Sequence, residues 1–389
     1  KVDMDKLRIR YVKPLLTSVF SDMDGYLSGS IMMDGHLDSL NISSVDCRLD
    51  DCELTVDYTN VPYFADGTFH LDNKGVYFDE MNIRDRYEGT GSISGSVNWN
   101  NFSDINFDTS IKVNEIEGIN INENKGDVFY GNLYATGNVS ITGPSNNLTM
   151  DIDAVTAKTG QIHIPITDAA TAGRGTNLLK FKEYGNEIHI DPYEAMMTNL
   201  QRKEADAERS DMTVNVRVIA SPDVEAFVEI DKASGNVLSG RGNGALDLSV
   251  TPEAFSINGD YTLTGGNYKF VAIGLVSRDF EIQDGSSVRF NGDILESTLD
   301  INAIYKTKAS LSALIADTTS VSNRRTVECG ISISDKISNP RLDFSIEIPD
   351  LDPTIKSRVE SALSTDDKIQ KQFLSLILSN SFLPDEQSG

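Results

Sequence analysis

Four histidines, three cysteines and 59 acidic residues are the groups in this 389-residue chain that could do chemistry. Their spacing assembles none of the familiar sites. His36, His70, His163 and His189 stand singly, with no metal-ligand pair spacing and no cysteine cluster beside them, so no metal site is expected. Gly91-Ser92-Ile93-Ser94-Gly95 has Ile93 where a nucleophile elbow needs serine. Gly240-Arg241-Gly242-Asn243-Gly244 lacks the spacing and the strand–turn–helix context of a phosphate loop. Asp22-Met23-Asp24-Gly25, Asp66-Gly67 and Asp284-Gly285 lack the closing glutamate of a calcium loop and read as turns. Carboxylates abound for a glycosidase pair, yet there is one tryptophan, Trp99, and no aromatic cluster to stack on sugar rings. Cys47 and Cys52 flank Arg48-Leu49-Asp50-Asp51 and could bridge across a tight hairpin or stay as two reduced thiols. Cys329 has no obvious partner in the sequence. No catalytic residue, cofactor or metal ligand is assigned.

A formal net charge of −25, from 59 acidic against 34 basic residues, excludes a nucleic-acid reader, which needs basic stripes to displace counterions. A polybasic grip on anionic headgroups fails for the same reason. No apolar run approaches the roughly 18 residues of a membrane-spanning helix. The chain opens in mid-pattern at Lys1-Val2-Asp3, which reads as a fragment whose anchor and secretion signal lie outside it.

The elements that would position any site are strands. Phe255, Ile257, Tyr261 and Leu263 alternate with polar residues; so do Val288, Phe290 and Ile294, and Leu342, Phe344, Ile346 and Ile348. Val214, Val216 and Val218 do the same, as do Ile105, Phe107, Ile111 and Val113. Period two gives each strand one apolar and one wet face, which favours antiparallel meanders. A loose repeat of glycine and alternating strand recurs at Gly25–Ile31, Gly91–Val97, Gly131–Ile141 and Gly242–Leu248, with glycine expected at bends. Residues 192–210 have helical propensity and read as a short helical or mobile insertion. From Pro353 to Leu383 the pattern turns helical through Ile355, Val359, Leu363, Ile369, Phe373, Leu376 and Ile377, as an amphipathic helix that packs on the sheet or caps its end. The expected divisions are 1–191, 192–210, 211–350 and 351–389.

A set of phrases in fixed order resembles the C-terminal domain of the TamB family. Val224–Asp231, Gly235-Asn236-Val237-Leu238 and Gly240–Leu246 are similar to its opening. Gly259-Asp260-Tyr261-Thr262-Leu263 with Gly266-Asn267-Tyr268-Lys269-Phe270 resembles the hairpin that follows. Phe280-Glu281-Ile282, Gly285–Asp293 and Leu299–Ala303 resemble its core stretch, with Ile294 where proline is expected, and Leu342-Asp343-Phe344 matches the next strand. Upstream, Phe129–Gly137 and Ile164-Pro165-Ile166 are similar to the Bacteroidetes version, so the likeness runs over about 60–383. The resemblance implies an all-β fold: an elongated, curled, antiparallel-rich sheet (a β-taco, AsmA-like) with an apolar inner groove. It also implies a periplasmic, non-enzymatic protein held to the inner membrane by an N-terminal segment outside this chain. Such a protein would work with an Omp85-type outer-membrane partner and carry phospholipid, or chaperone nascent outer-membrane protein strands.

Groove-lining residues follow from alternation: Phe255, Ile257, Tyr261, Leu263, Val288, Phe290, Leu299, Ile301, Phe344 and Ile346. A one-residue register shift would invert any of these strands. On pattern alone the same residues pack more readily into a closed sandwich core; the resemblance reverses that preference. The alternative from another class is a cell-surface adhesin or glycan-binding β-protein with such a core. A lyase or glycosidase would need a convergent charged cluster that the sequence does not display.

Overall fold

A computed structural model describes residues 1–11, 13, 20–36, 39–56, 59–100, 103–124, 129–165, 211–231, 235–251, 254–272, 276–315 and 324–384. Among them the chain forms seventeen strands and three short helices, an all-β protein of curled, mostly antiparallel sheet. It divides into two compact units. Unit 1 is Lys1–Ile162, the described part of Ala172–Val224, and Ala245–Ile257; unit 2 is the described part of His163–Thr171, Glu225–Gly244 and Asn258–Gly389.

Unit 1 is a meander. Strands β1 (Val2–Arg8), β2 (Phe20–His36), β3 (Ser39–Val56), β4 (Val61–Asp72), β5 (Gly75–Arg84), β6 (Thr90–Asn100), β7 (Ser103–Ile121) and β8 (Tyr130–Pro144) pair antiparallel, each with the next. β9 (Asn147–Pro165) then takes β10 (Asp211–Ala220) in parallel, Asp211 opposite Asn147 and Ile219 opposite Val155. A parallel pair needs a long crossover. Residues 166–210 supply that length.

The glycine repeat marks bulges. Gly25 and Gly29 of β2 have φ of +124° and +133°, and the β2–β3 pairing slips a residue beside each. A Cβ on Gly29 would lie 2.7 Å from the Cα of Cys47, and one on Gly25 would lie 2.5 Å from that of Cys52. Strands this close, with an extra residue inserted, bend and twist more than a regular ladder, which is how a flat meander acquires curl.

Unit 2 contains β11 (Val224–Asp231, from Glu225), the first part of β12 (Asn236–Val250), most of β13 (Phe255–Ala272), β14 (Val276–Ile282), β15 (Ser287–Ala309), β16 (Arg325–Lys336) and β17 (Arg341–Glu347). Consecutive strands from β13 to β17 pair antiparallel. A four-residue helix, α1 (Ser312–Ile315), follows β15, and α2 (Pro353–Ala362) and α3 (Asp366–Ser379) close the chain.

Several expectations change. The helical pattern beyond Pro353 is two helices, because Thr365 caps a new one: its hydroxyl accepts from the Lys368 N–H, with Asp366 and Asp367 in the first turn. Asp22–Gly25 and Asp66-Gly67 lie within β2 and β4, where Asp66 Oδ1 accepts the Asp51 N–H at 2.8 Å; Asp284-Gly285 alone of the three is a turn. Cys47 and Cys52 do not face across a hairpin. Both sit on β3, and all three thiols are free and buried. The insertion expected at 192–210 lies outside the described residues.

Three outcomes follow. Gly29→Ala should cost about 1–3 kcal/mol in urea unfolding, because left-handed strain and a backbone clash coincide there. Gly285→Ala, at φ +87° with open space around its Cβ, keeps the backbone strain without a clash and should cost about 1–2 kcal/mol. A thiol titration should find no fast-reacting cysteine in the native protein and three after denaturation, since burial raises each thiol pKa, that of Cys329 to about 12.

Candidate functional site

One face of unit 1 is apolar, packed at one end and half-open toward the other. At the packed end Ile9, Met23, Cys52, Ala65, Met81, Ile83 and Ile116 form a buried cluster. Ile9 reaches it because a 3-10 turn, Ile9–Tyr11, follows β1. Leu27, Leu49, Phe69, Phe78, Ile93, Ile111 and Val113 pack against this cluster but stay only half-buried. Pairing arranges them in rows across the strands: Leu27 opposite Leu49, Ile93 opposite Ile111 opposite Val139, and Val97 opposite Phe107. Cross-strand apolar neighbours of this kind make a continuous surface. Among the described residues of unit 1, no helix longer than the Ile9–Tyr11 turn is present to cover it.

At the packed end the sheet turns back on itself. β4 and β7 are separated by β5 and β6 in the ladder, yet they meet. Tyr63 Oη donates to the Glu117 carbonyl at 2.8 Å, Asn60 Nδ2 to the Asn120 carbonyl at 3.0 Å, and the Asn120 N–H to the Thr59 carbonyl at 3.0 Å. Between them lies the β5–β6 turn. Asp85, 3% exposed, accepts the N–H groups of Tyr87 (2.7 Å), Gly89 (2.8 Å) and Glu117 (2.6 Å). Glu117 is 2% exposed, and its Oε1 accepts Asn120 Nδ2 at 3.0 Å. Burial, then the charge of Asp85, holds the Glu117 pKa above the usual carboxyl range; burial also raises the Tyr63 phenol.

Unit 2 covers its apolar face with a helix. Phe373, Leu376 and Ile377 recur at helical spacing on α3 and are fully buried. Phe373 meets Phe344 of β17 (ring centroids 4.5 Å apart), Phe280 of β14 (6.0 Å) and Phe270 of β13 (6.3 Å). Gln372 fastens the tail: its side chain donates to the Leu383 carbonyl and accepts the Leu383 N–H at 3.0 and 2.8 Å, while Phe382 is buried.

The TamB C-terminal domain profile matches residues 79–389. The chain belongs to the TamB family. TamB domains are modules of envelope biogenesis that serve outer-membrane assembly. No curated protein matches the sequence.

The TamB phrase Gly240-Arg241-Gly242-Asn243-Gly244 now has a physical reading. A Cβ on Gly240 would lie 2.5 Å from Leu263 Cδ2, and one on Gly242 would lie 2.9 Å from the Tyr261 ring. The glycines of β12 leave the slot in which these two β13 side chains lie, each less than a tenth exposed.

Of the lining residues named from the sequence, Ile257, Tyr261, Leu263, Val288, Leu299 and Ile301 are buried, Ile301 completely. Phe255, Phe290, Phe344 and Ile346 are half-buried. Phe255 and Ile257 fall in unit 1 and the rest in unit 2. Register aligns Ile346 with Cys329 and Tyr305, and Phe344 with Ile331 and Ala303. Phe344 is also the residue on which Phe373 rests, so α3 shields it. The half-open rows of unit 1 were not chosen from the sequence, although Ile111 and Val113 were visible in the alternation. Among the described histidine side chains, His70 stacks on Tyr77, and His163 stacks on Phe227 with Glu229 at 3.4 Å. Among the described residues no group of three or more His, Cys, Asp or Glu is placed to hold a metal ion. No helix there is long and apolar enough to cross a membrane.

Phe373→Ala should cost about 3–5 kcal/mol and bring in an apolar-surface dye such as ANS, since it empties the ring cluster that seals unit 2. Denaturant unfolding with dye titration checks both effects.

Proposed function

We propose that this TamB-family chain holds an extended apolar chain against the open face of unit 1, and that the cargo is phospholipid. The supporting observation is the row Ile93–Ile111–Val139 with its neighbours Leu27, Leu49, Phe69 and Phe78: side chains of core type, aligned across strands and left half-exposed. A surface of this kind marks a binding site more often than chance exposure does. Covering it with an acyl chain gains about 0.8 kcal/mol per buried methylene. No headgroup pocket is required, which suits a carrier of mixed lipids. In unit 2 Phe290 and Ile346 are the half-buried part of the sequence-named lining that cargo could still reach, while Phe344 lies under Phe373 of α3.

In this reading the protein is periplasmic, is anchored to the inner membrane through a segment preceding this chain, and delivers cargo beside an Omp85-type outer-membrane partner. An unfolded outer-membrane strand could lay alternating apolar side chains on the same face, so cargo identity is what the experiment must decide.

Native mass spectrometry with lipid extraction of the purified chain should show co-purifying phospholipid. Ile93→Asp combined with Ile111→Asp should remove most of it while the β-type circular dichroism stays unchanged. A lipid-free protein that also refuses added phospholipid would sink the lipid reading. If that protein still suppressed aggregation of an unfolded outer-membrane barrel, the strand cargo would take its place.

A further inference from the structure

On the unit 1 face Met81, Ile83 and Ile116 are buried, while Phe78, Ile93 and Ile111 are half-buried. β4 reaches over to β7 beside Ile116, at Glu117. We propose that the β4–β7 crossing and the Asp85–Gly89 turn form a gate that shuts one end of this face, and that ionisation of Glu117 opens it. The proposal rests on the cargo reading for its purpose but not for its geometry.

The crossing depends on few bonds. Three hydrogen bonds join β4 and the turn before it to β7, and Asp85 ties the β5–β6 turn to Glu117. Every one of them involves Glu117, its neighbour Asn120, or a group bonded to these. The surroundings of the Glu117 carboxyl are short of compensating charge. Tyr63 faces it from β4 and Tyr134 from β8, both as neutral phenols with raised pKa. Asp85 faces it from the turn with like charge. Arg86, on the same turn, is the nearest cation to act on it, and its guanidinium is engaged with Glu53 of β3 at 2.6 Å. Lys158 of β9 reaches the outer side of the turn, where it donates to the Tyr87 carbonyl at 3.0 Å and faces Glu115 at 3.6 Å. A protonated Glu117 fits this pocket; an ionised one adds a second buried anion beside Asp85.

The sign follows from the direction of the shift. A carboxyl whose folded pKa lies above its ordinary value of 4.5 favours the closed form at low pH. That preference is lost as pH rises from 4.5 through the raised folded value. The gate is therefore tightest at and below pH 4.5 and loosens as pH rises through the folded value.

Hydrogen–deuterium exchange of peptides covering 84–90 and 114–121, corrected for intrinsic rates, tests the gate directly. Protection there should fall several-fold between pH 5 and pH 7.5 in the wild type, while peptides from β15 and β16 hold steady. Glu117→Gln, which keeps the acceptor for Asn120 and removes the charge, should make that protection flat and high. Tyr63→Phe, a second variant with little risk to folding, should lower it by a similar factor at every pH. Equal pH dependence in wild type and Glu117→Gln would overturn the proposal.

A second readout links the gate to cargo. The chain is loaded from phosphatidylethanolamine–phosphatidylglycerol vesicles carrying an acyl-labelled fluorescent phosphatidylethanolamine. Release should be several-fold faster at pH 7.5 than at pH 5.5 in the wild type and unchanged in Glu117→Gln. Failure to load in either protein would count against phospholipid as cargo, while the exchange result still decides the gate.

Discussion

An alternating strand has an apolar side that must leave water, and a long meander multiplies that demand with every turn of the chain. The two units meet it differently. Unit 2 brings its own cover: α3 lays Phe373, Leu376 and Ile377 on β14 and β17, and an aromatic cluster closes around Phe373. Unit 1 has no such helix among its described residues and relies on curvature, so its apolar side chains shelter one another. Curvature protects completely only where it is tightest. The remainder, from Leu27 to Val113, stays half-buried.

Tight curvature has its own physical requirements. Bulges at Gly25 and Gly29 need backbone conformations with φ near +130° and no Cβ facing β3. The return of β4 over β7 needs polar groups to replace the ladder bonds that a crossing cannot make. Tyr63, Asn60, Asn120 and Asp85 do this. The consequence is a polar seam, with two buried carboxyl groups, at the end of an apolar face. Buried polar groups of this kind are stable only when every partner is in place. The seam therefore both finishes the curl and makes it sensitive to the state of one proton.

Period two was plain in the sequence at Val288–Ile294 and Leu342–Ile348, and it named strands and faces there because each residue's neighbours two positions away share its environment. The ordered TamB phrases told the family for the same local reason. What was hidden were contacts between residues distant in sequence. Nothing near Phe344 shows that Phe373 will rest on it, and nothing near Asn60 shows that Asn120 lies within hydrogen-bond reach. The rows of unit 1 are hidden in the sequence because Leu27, Leu49, Phe69 and Phe78 sit on bulged strands, where register slips break the alternation. Cys47 and Cys52 misled in the same way: five positions apart, they look like hairpin partners, yet β3 runs straight through both.

Neither unit is contiguous in the chain, and this bears on how the protein is made. β9 waits for β10, its parallel partner, until residue 219 has emerged, and residues 166–210 must come first. At translation rates of about 5–20 residues per second, that wait is on the order of several seconds. Throughout it the far edge of a nearly finished nine-strand meander is bare, with its N–H and C=O groups pointing at whatever is near. Non-local parallel pairing is also slow to form once its partner arrives. Until β10 docks, a chain of this design carries an unpaired strand edge of the kind that pairs with other chains.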